Sequence, residues 1–363
     1  MNVKIRLLKK IDSVAGPVLV RLAGIVPAAA EAPLSEECNI LFIRPGGIGD
    51  AVLLIPAIRS MREKFPRASI DVLCEKRNHE IFKLCPEVDS ILLYDRGFDV
   101  FSALGRRYDA VVDTEQWYRL SAIVAYMTRS PIRAGFRTNE RRLLFNRPVD
   151  YYDDEYEALS FLRLTAAITG VTAQFNGAPF ISIPQELSER VKSFLFPSSV
   201  NEWISIFPGG SIDEKKWGTD RFRQVAGKML GSGFGVVVVG GRNDFNVGKS
   251  IVEGLKGALN LCGSLDLSET AALLSRASLL ITGDSGIMHV ASAVGTKTLS
   301  LFGPGNEKKW APMGANHMVI KKGLHCSPCS RFGHTPLCRR GKECMEMIGV
   351  EEVFNEAMEL LER

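Results

Sequence analysis

Twice along this chain, short uninterrupted apolar runs alternate with amphipathic stretches, and that double rhythm narrows the fold more than any other feature. In the first half the runs are NILFIR (39–44), SIDVLC (69–74), SILLYD (90–95) and DAVVDT (109–114). In the second they are WISIFP (203–208), GVVVVGG (235–241), SLLITGDSG (278–286) and TKTLSLFGP (296–304). Such runs, joined by helical stretches, read as buried strands of parallel sheets with helical crossovers. The expected fold class is α/β, with two Rossmann-like, doubly wound domains in tandem, their loop ends facing a cleft. Helices are expected over 51–65 (ended by Pro66), 154–169, 219–231, 287–294 and 350–362, with a short strand at 179–183. The boundaries read as an N-terminal arm over 1–38, a first domain over 39–184, a linker from Pro184 to Ser199, a second domain over 200–349 and a closing helix over 350–363. Ligands of doubly wound sheets sit at the carboxyl ends of the strands, so the loops there carry the search for chemistry.

A chain of 363 residues buries enough surface for two domains without covalent staples. Its net charge of +4, from 45 basic and 41 acidic residues, is unevenly placed. Residues 1–22 hold Lys4, Arg6, Lys9, Lys10 and Arg21 against Asp12 alone, and the remainder is balanced. A duplex-binding protein more often spreads a basic excess over its fold, so no nucleic-acid partner is expected. No uncharged apolar run reaches about 18 residues, so no membrane-spanning helix is expected either. On a helical wheel Ile5, Leu8, Ile11, Val18, Leu22 and Ile25 take one side, and Arg6, Lys9, Lys10 and Arg21 the other. That is the pattern of a basic amphipathic helix lying on an anionic membrane surface. Two other readings stand beside it. One is a helix packed on its own protein. The other is a cleaved secretory signal, which AAAEA at 28–32 imitates but Arg21, Pro17 and Pro27 interrupt.

Four loops carry residues suited to chemistry. GGIGD (46–50) follows a strand and opens a helix; Gly46, Gly47 and Gly49 let backbone approach a ligand, and a helix N-terminus favours an anion. Asp50 would repel phosphate there, and its plain structural role is to cap the helix. FPGGSIDEKKW (207–217) is the matching loop of the second half. Backbone amides around Gly209–Ser211 and a cation at Lys215 or Lys216 suit a diphosphate, although a solvated charged turn reads equally well. GDSGIMH (283–289) puts Asp284, Ser285 and Gly286 at a helix N-terminus, able to hold phosphate or ribose, with capping by Asp284 as the plain alternative. His289, about one turn further on, faces either the site or the core. FGPGNEKKW (302–310) offers Asn306 and Lys308. Neither a Walker loop, H-E-x-x-H, G-x-S-x-G nor a G-x-G-x-x-G fingerprint appears.

Cysteines fall into two groups. Cys38, Cys74, Cys85 and Cys262 are scattered, two of them in strand-like runs where cysteine acts as a small hydrophobe. Cys326, Cys329, Cys338 and Cys344 form C-x2-C-x8-C-x5-C. In a reducing compartment four thiolates suit a structural tetrahedral zinc; buried thiols or a redox-labile pair are the other readings.

Taken together, ILFIRPGGIGDAVLLIPAIRSMREKFP, FPGGSIDEKKWGTDRF, GDSGIMHVASAVGT and LFGPGNEKKWAP resemble glycosyltransferase family 9, the ADP-heptose:lipopolysaccharide heptosyltransferases, from about residue 39 to the end. The resemblance implies a GT-B fold and inverting transfer from an ADP-heptose donor to a lipid-linked sugar of the lipopolysaccharide core, with no cofactor for catalysis. It implies that Asp50 is the catalytic base, that Lys216, just before the tryptophan, contacts phosphate, and that Asp284, Ser285, Gly286 and His289 serve the nucleotide side. Inverting transfer needs a base for the acceptor hydroxyl and donors for the departing diphosphate, which such a division supplies. With a basic arm and a lipid-linked acceptor, the expected location is cytoplasmic, peripheral on the inner face of the inner membrane. A nucleotide-sugar epimerase of GT-B architecture and a non-catalytic nucleotide-sugar-binding protein are the alternatives.

Overall fold

The computed structural model describes residues 3–23, 33–195 and 202–363, with side chains of the first helix from Asp12 onward. The AAAEA stretch, Ile25, Pro27, residues 196–199 of the expected linker and the side chains of Lys4, Ile5, Arg6, Leu8, Lys9, Lys10 and Ile11 lie outside the described residues. The chain divides into two compact units, Met1–Asn176 and Gly177–Arg363.

In the first unit β1 (Asn39–Arg44), β2 (Ser69–Cys74), β3 (Ser90–Leu93), β4 (Ala110–Asp113), β5 (Ile132–Phe136) and β6 (Arg147–Val149) make one parallel sheet of order β3-β2-β1-β4-β5-β6. Its helices are α1 (Val3–Ala23), α2 (Ile48–Lys64), α3 (His79–Lys83), α4 (Gly97–Gly105), α5 (Leu120–Met127) and α6 (Glu157–Thr169). The second unit repeats the scheme with β7 (Trp203–Phe207), β8 (Gly235–Val238), β9 (Ala258–Asn260), β10 (Leu279–Gly283), β11 (Lys297–Phe302) and β12 (His317–Lys321), ordered β12-β11-β10-β7-β8-β9 and again parallel. Its helices are α7 (Gln185–Lys192), α8 (Thr219–Gly231), α9 (Phe245–Val252), α10 (Leu267–Leu274), α11 (Gly286–Ala293), α12 (Glu307–Trp310), α13 (Glu343–Glu346) and α14 (Val350–Glu362). Both sheets have the doubly wound order 3-2-1-4-5-6, so each has a switch point, beside β1 and β4 in one and beside β7 and β10 in the other.

The strands are apolar throughout because helices cover both faces of each sheet. On one face of the first sheet, Leu41, Ile43, Leu73 and Val111 pack with Val20 of α1, Ala103 of α4 and Ala122 and Ala125 of α5. In the second unit Ile204, Ile206, Leu279 and Leu299 pack with Phe222, Val225 and Met229 of α8 and with Val353, Ala357 and Leu360 of α14. The spacings 222/225/229 and 353/357/360 each keep one helix face inward.

Two expectations are corrected here. Residues 179–183 form no strand: the amides of Phe180 and Ile181 both donate to the Ala293 carbonyl, each at 2.9 Å, at the end of α11. The stretch is thereby tied to a helix end in the second unit. The unit boundary also lies at Asn176–Gly177, ahead of the linker expected from Pro184 to Ser199. Residues 185–192 are helix α7, which buries Val191 and pairs Arg190 with Glu269 of α10 at 2.8 Å. A helix with so little apolar surface carries almost no periodic signal, and its polarity reads as a connector.

From Asp12 on, the arm is a helix packed on its own protein. Asp12 is buried, and its Oδ1 accepts from the amides of Arg119 at 2.6 Å and Leu120 at 2.8 Å. The carboxylate thus caps the start of α5, where first-turn amides lack partners and the helix dipole favours an anion. Burial raises the Asp12 pKa, and the two amides and the nearby Arg119 oppose that rise. Val20, two turns on, is fully buried. On the opposite side Val14, Val18 and Leu22 stay in solvent. No described helix is long and apolar enough to cross a membrane.

Candidate active site

The loops at the first switch point carry a cluster of buried charge. Gly46 has φ +121°, a conformation glycine adopts freely, and Gly47 stands as N-cap of α2 without any side-chain cap bond. Gly49 is buried in the first turn. Asp50 lies in that turn but accepts from Gln116 Nε2 at 3.0 Å through Oδ1. A Cβ at Gly47 would stand 2.6 Å from Asp50 Oδ2, so the carboxylate folds back over bare glycine backbone. The capping role is not the one taken.

Behind Asp50 lies a network that the motifs did not disclose. Arg44, the last residue of β1, is 1% exposed. Its guanidinium donates to the Thr114 carbonyl at 2.8 Å and to Glu115 Oε2 at 3.0 Å, and stands 3.7 Å from Asp50 Oδ1. Desolvation works to lower its pKa, but Asp50, Glu115, Glu157 and Asp113 outweigh that and hold it charged. Gln116 Nε2 also donates to Glu157 Oε1 at 2.5 Å, and Tyr151 donates to Glu157 Oε2 at 3.0 Å. Burial, then Glu157, pushes the Tyr151 hydroxyl well up, so it stays a donor. Arg141, fully buried, pairs with Asp113 at 2.5 Å. The result is a carboxylate with one oxygen fixed by an amide and an arginine beside it. Burying so many charges is tolerable only because each is paired. One available signal was positional: Glu115 and Gln116 lie in the loop after β4, at the strand's carboxyl end.

In the second unit the loops after β7, β10 and β11, three adjacent strands, come together. Trp217 anchors the first of them: it is buried, donates from Nε1 to the Ile348 carbonyl at 3.0 Å and meets Phe222 edge-on at 5.1 Å. The two lysines ahead of it diverge. Lys215 Nζ stands 2.5 Å from Asp284 Oδ2, with 18% of its side chain exposed. Lys216, the lysine selected by resemblance, pairs instead with Asp213 at 2.6 Å on the solvent side, 45% exposed. Buried Gly209 and exposed Ser211 lie in the same loop.

Asp284 does not cap α11. Ser285 does, its Oγ accepting from the Met288 amide at 3.4 Å, with Gly286 opening the helix. A Cβ at Gly305 would fall 2.0 Å from Asp284 Oδ2, so the loop after β11 also needs bare backbone. Asn306 in that loop accepts from the Lys308 amide at 3.1 Å as N-cap of α12. His289 faces the interior: it is 3% exposed and sits edge-on to Trp310 at 6.2 Å.

The cysteine segment adjoins these loops. The amides of Cys329 and Ser330 donate to the Pro304 carbonyl at 3.0 and 2.9 Å. One cavity of about 250 Å³ is lined by Cys326, Cys329, Cys338 and Cys344, together with Pro304 and with Glu214 of the lysine loop. All eight cysteines are free thiols. Among the described residues no group of three or more His, Cys, Asp or Glu already stands in a metal-holding arrangement. The scattered cysteines are buried, and burial pushes Cys74 and Cys262 up to about 12, which makes them inert.

Two parallel, doubly wound units, each with a glycine loop at its switch point, define a GT-B architecture. The chain belongs to glycosyltransferase family 9 (heptosyltransferase), whose pattern matches residues 98–336, well over half of it. It is 26% identical over 307 residues to lipopolysaccharide heptosyltransferase 2 of Escherichia coli K12, covering 78% of this chain and 88% of that one. Among solved structures, E. coli ADP-heptose lps heptosyltransferase II superposes with a TM-score of 0.74 at 22% identity, covering 89% of this chain and 98% of the other. E. coli heptosyltransferase WaaC with ADP superposes at 0.71 and 18% identity, covering 89% and 99%. The chain is thus a glycosyltransferase, and neither an epimerase nor a non-catalytic binding protein is favoured.

Proposed function

We propose that this glycosyltransferase moves heptose from ADP-heptose to a sugar of the lipopolysaccharide core, with inversion at the anomeric carbon and no metal at the reacting centre. One observation carries the reading: the two switch points hold complementary chemistry, an oriented carboxylate in one unit and a lysine beside a helix N-terminus in the other. Asp50 takes the proton of the acceptor hydroxyl as its oxygen attacks the anomeric carbon. The bond from that carbon to the diphosphate breaks on the opposite face, and ADP leaves. Lys215, released from Asp284 toward the phosphates, backbone amides around Gly209–Ser211 and the start of α11 stabilise the departing charge. This arrangement supplies by cation and amides what a metal supplies elsewhere. Donor and acceptor identities rest on the names of the relatives. The experiment is incubation with ADP-heptose and truncated lipopolysaccharide, read by mass, with the new linkage read by NMR and the reaction repeated in chelator. Retention, loss of rate in chelator, or turnover of ADP-heptose without acceptor would each overturn part of the reading.

For the cysteine segment we propose a structural zinc held by Cys326, Cys329, Cys338 and Cys344. The fit rests on the donor set, four thiols around one small cavity, and on the Lys342 amide, which donates to Cys338 Sγ at 3.4 Å. The sulfurs would close in on binding, since they do not already stand at ligand distances. The ion would brace the segment before α14, at a cavity shared with Glu214 and Pro304. Protein purified without chelator should carry about one equivalent of zinc by elemental analysis. Less than about half an equivalent counts against a four-thiolate site.

We further propose that the enzyme works on the cytoplasmic leaflet, held to an anionic surface where a lipid-linked acceptor resides.

A further inference from the structure

The outer surface of the first unit exposes more large apolar side chains than isolated surface positions explain. In α1, Val14, Val18 and Leu22 are 72%, 55% and 59% exposed. They recur every fourth residue and share one side of the helix, opposite the side that buries Asp12 and Val20. In α4, Phe98 and Phe101 are 89% and 73% exposed, one turn apart on one side of that helix. Val20 and Ala23 of α1 and Val100 and Ala103 of α4 belong to the same buried cluster on one face of the first sheet. The outward sides of both helices therefore turn away from that same sheet face. Single exposed apolar residues are ordinary, whereas a group this large marks an interaction surface.

Charge says what covers it. The only acid among residues 1–22 is Asp12, and it is buried as the cap of α5. By sequence the other charges of residues 1–22 are all basic, and Arg21, whose side chain is described, is 63% exposed, 3.7 Å from Glu140. Beside the two phenylalanines Arg96 and Arg107 are exposed, whereas Arg106 is taken up by Asp71 at 2.5 Å. Of the nearby acids, Asp99 accepts from the Leu93 amide at 2.9 Å and Asp95 from the Lys76 amide at 3.1 Å. Apolar side chains rimmed by cations match a layer of anionic headgroups over acyl chains.

We propose that the outward sides of α1 and α4, through Val14, Val18, Leu22, Phe98 and Phe101, form one docking surface for an anionic phospholipid bilayer. The inference deepens the leaflet reading above by naming the contact, and it rests on that reading. Phe98 and Phe101 insert below the headgroups while Arg21 of α1 and Arg96 and Arg107 beside α4 stay among the phosphates.

Deleting the arm would also remove Asp12 and Val20, so substitutions on the exposed side make the sharper test. The full chain is sedimented with vesicles of phosphatidylcholine containing about 30% phosphatidylglycerol, and with phosphatidylcholine alone. The wild-type chain should bind the anionic vesicles and be released as salt rises from about 0.1 to 0.5 M. Val18→Glu with Leu22→Glu, and separately Phe98→Ser with Phe101→Ser, should each weaken binding by about tenfold or more. Transfer to a soluble acceptor fragment should be unchanged in both variants, which also shows that they fold. Equal binding to neutral vesicles, or binding that ignores both pairs, overturns the proposal. So does a wild-type dimer in solution that the same substitutions dissolve, because a second copy would then cover the face. Vesicle binding needs no turnover: an inactive chain that still binds strikes the transfer reading alone, and an active chain that ignores vesicles strikes this surface alone.

Discussion

Replacing Asp50 by asparagine should lower kcat by about 10²–10⁴-fold, the usual scale for general base catalysis, with little change in affinity for ADP-heptose. Asparagine keeps an oxygen that can accept from Gln116 Nε2, now at 3.0 Å from Asp50. It removes only the charge and the basic lone pairs. Arg44 keeps Glu115 as a partner at 3.0 Å, so the buried guanidinium is not left uncompensated and the variant should fold. Steady-state kinetics beside donor binding by calorimetry check it. An asparagine variant with near wild-type kcat would remove the base from the mechanism and leave Asp50 as a charge partner of Arg44.

Lys215→Ala should weaken ADP binding and turnover together, with kcat/KM falling by about 10²–10³-fold, the range seen when one preorganised donor to a developing charge is lost. Lys216→Ala should change either quantity by no more than about twofold, since a solvent-exposed ion pair such as Lys216–Asp213 contributes little. Adjacent residues of the same type, measured side by side, thus decide which cation meets the diphosphate. If Lys216→Ala carries the loss, the Lys215–Asp284 pair is structural. Lys215→Arg separates charge from packing by restoring the first while enlarging the side chain.

The choice of lysine shows where sequence reading stops. Both lysines precede Trp217, and composition cannot tell them apart. Burial of the indole fixes the chain direction there, so one lysine turns toward Asp284 and the other toward Asp213. The long apolar strands β1, β2, β7 and β11 were legible because continuous burial on both faces leaves an unbroken run. Two edge strands were not: β6 is Arg-Pro-Val and β9 Ala-Leu-Asn, three residues each, too short for any period. β5 escaped because Arg133 and Gly135 interrupt its run. The glycine loops and Asp50 stood out by composition. Glu115, Gln116, Glu157 and Tyr151, which surround Asp50 from the loop after β4, from α6 and from the loop before α6, did not, because their meeting depends on strand order. Residues 109–157 bear no local mark of neighbouring residue 50.

Each unit closes over a core of its own, and that has a consequence for how this chain melts. Two cores mean two unfolding equilibria, so one transition temperature is not a well-defined property of the whole chain. If the loops after β7 and β10 hold the nucleotide, as proposed, it adds its binding free energy to the fold that carries those loops. Calorimetric traces of this enzyme are therefore best deconvoluted before any variant is ranked as stable or unstable. A lesion near Arg44 and one near Trp217 act on different transitions.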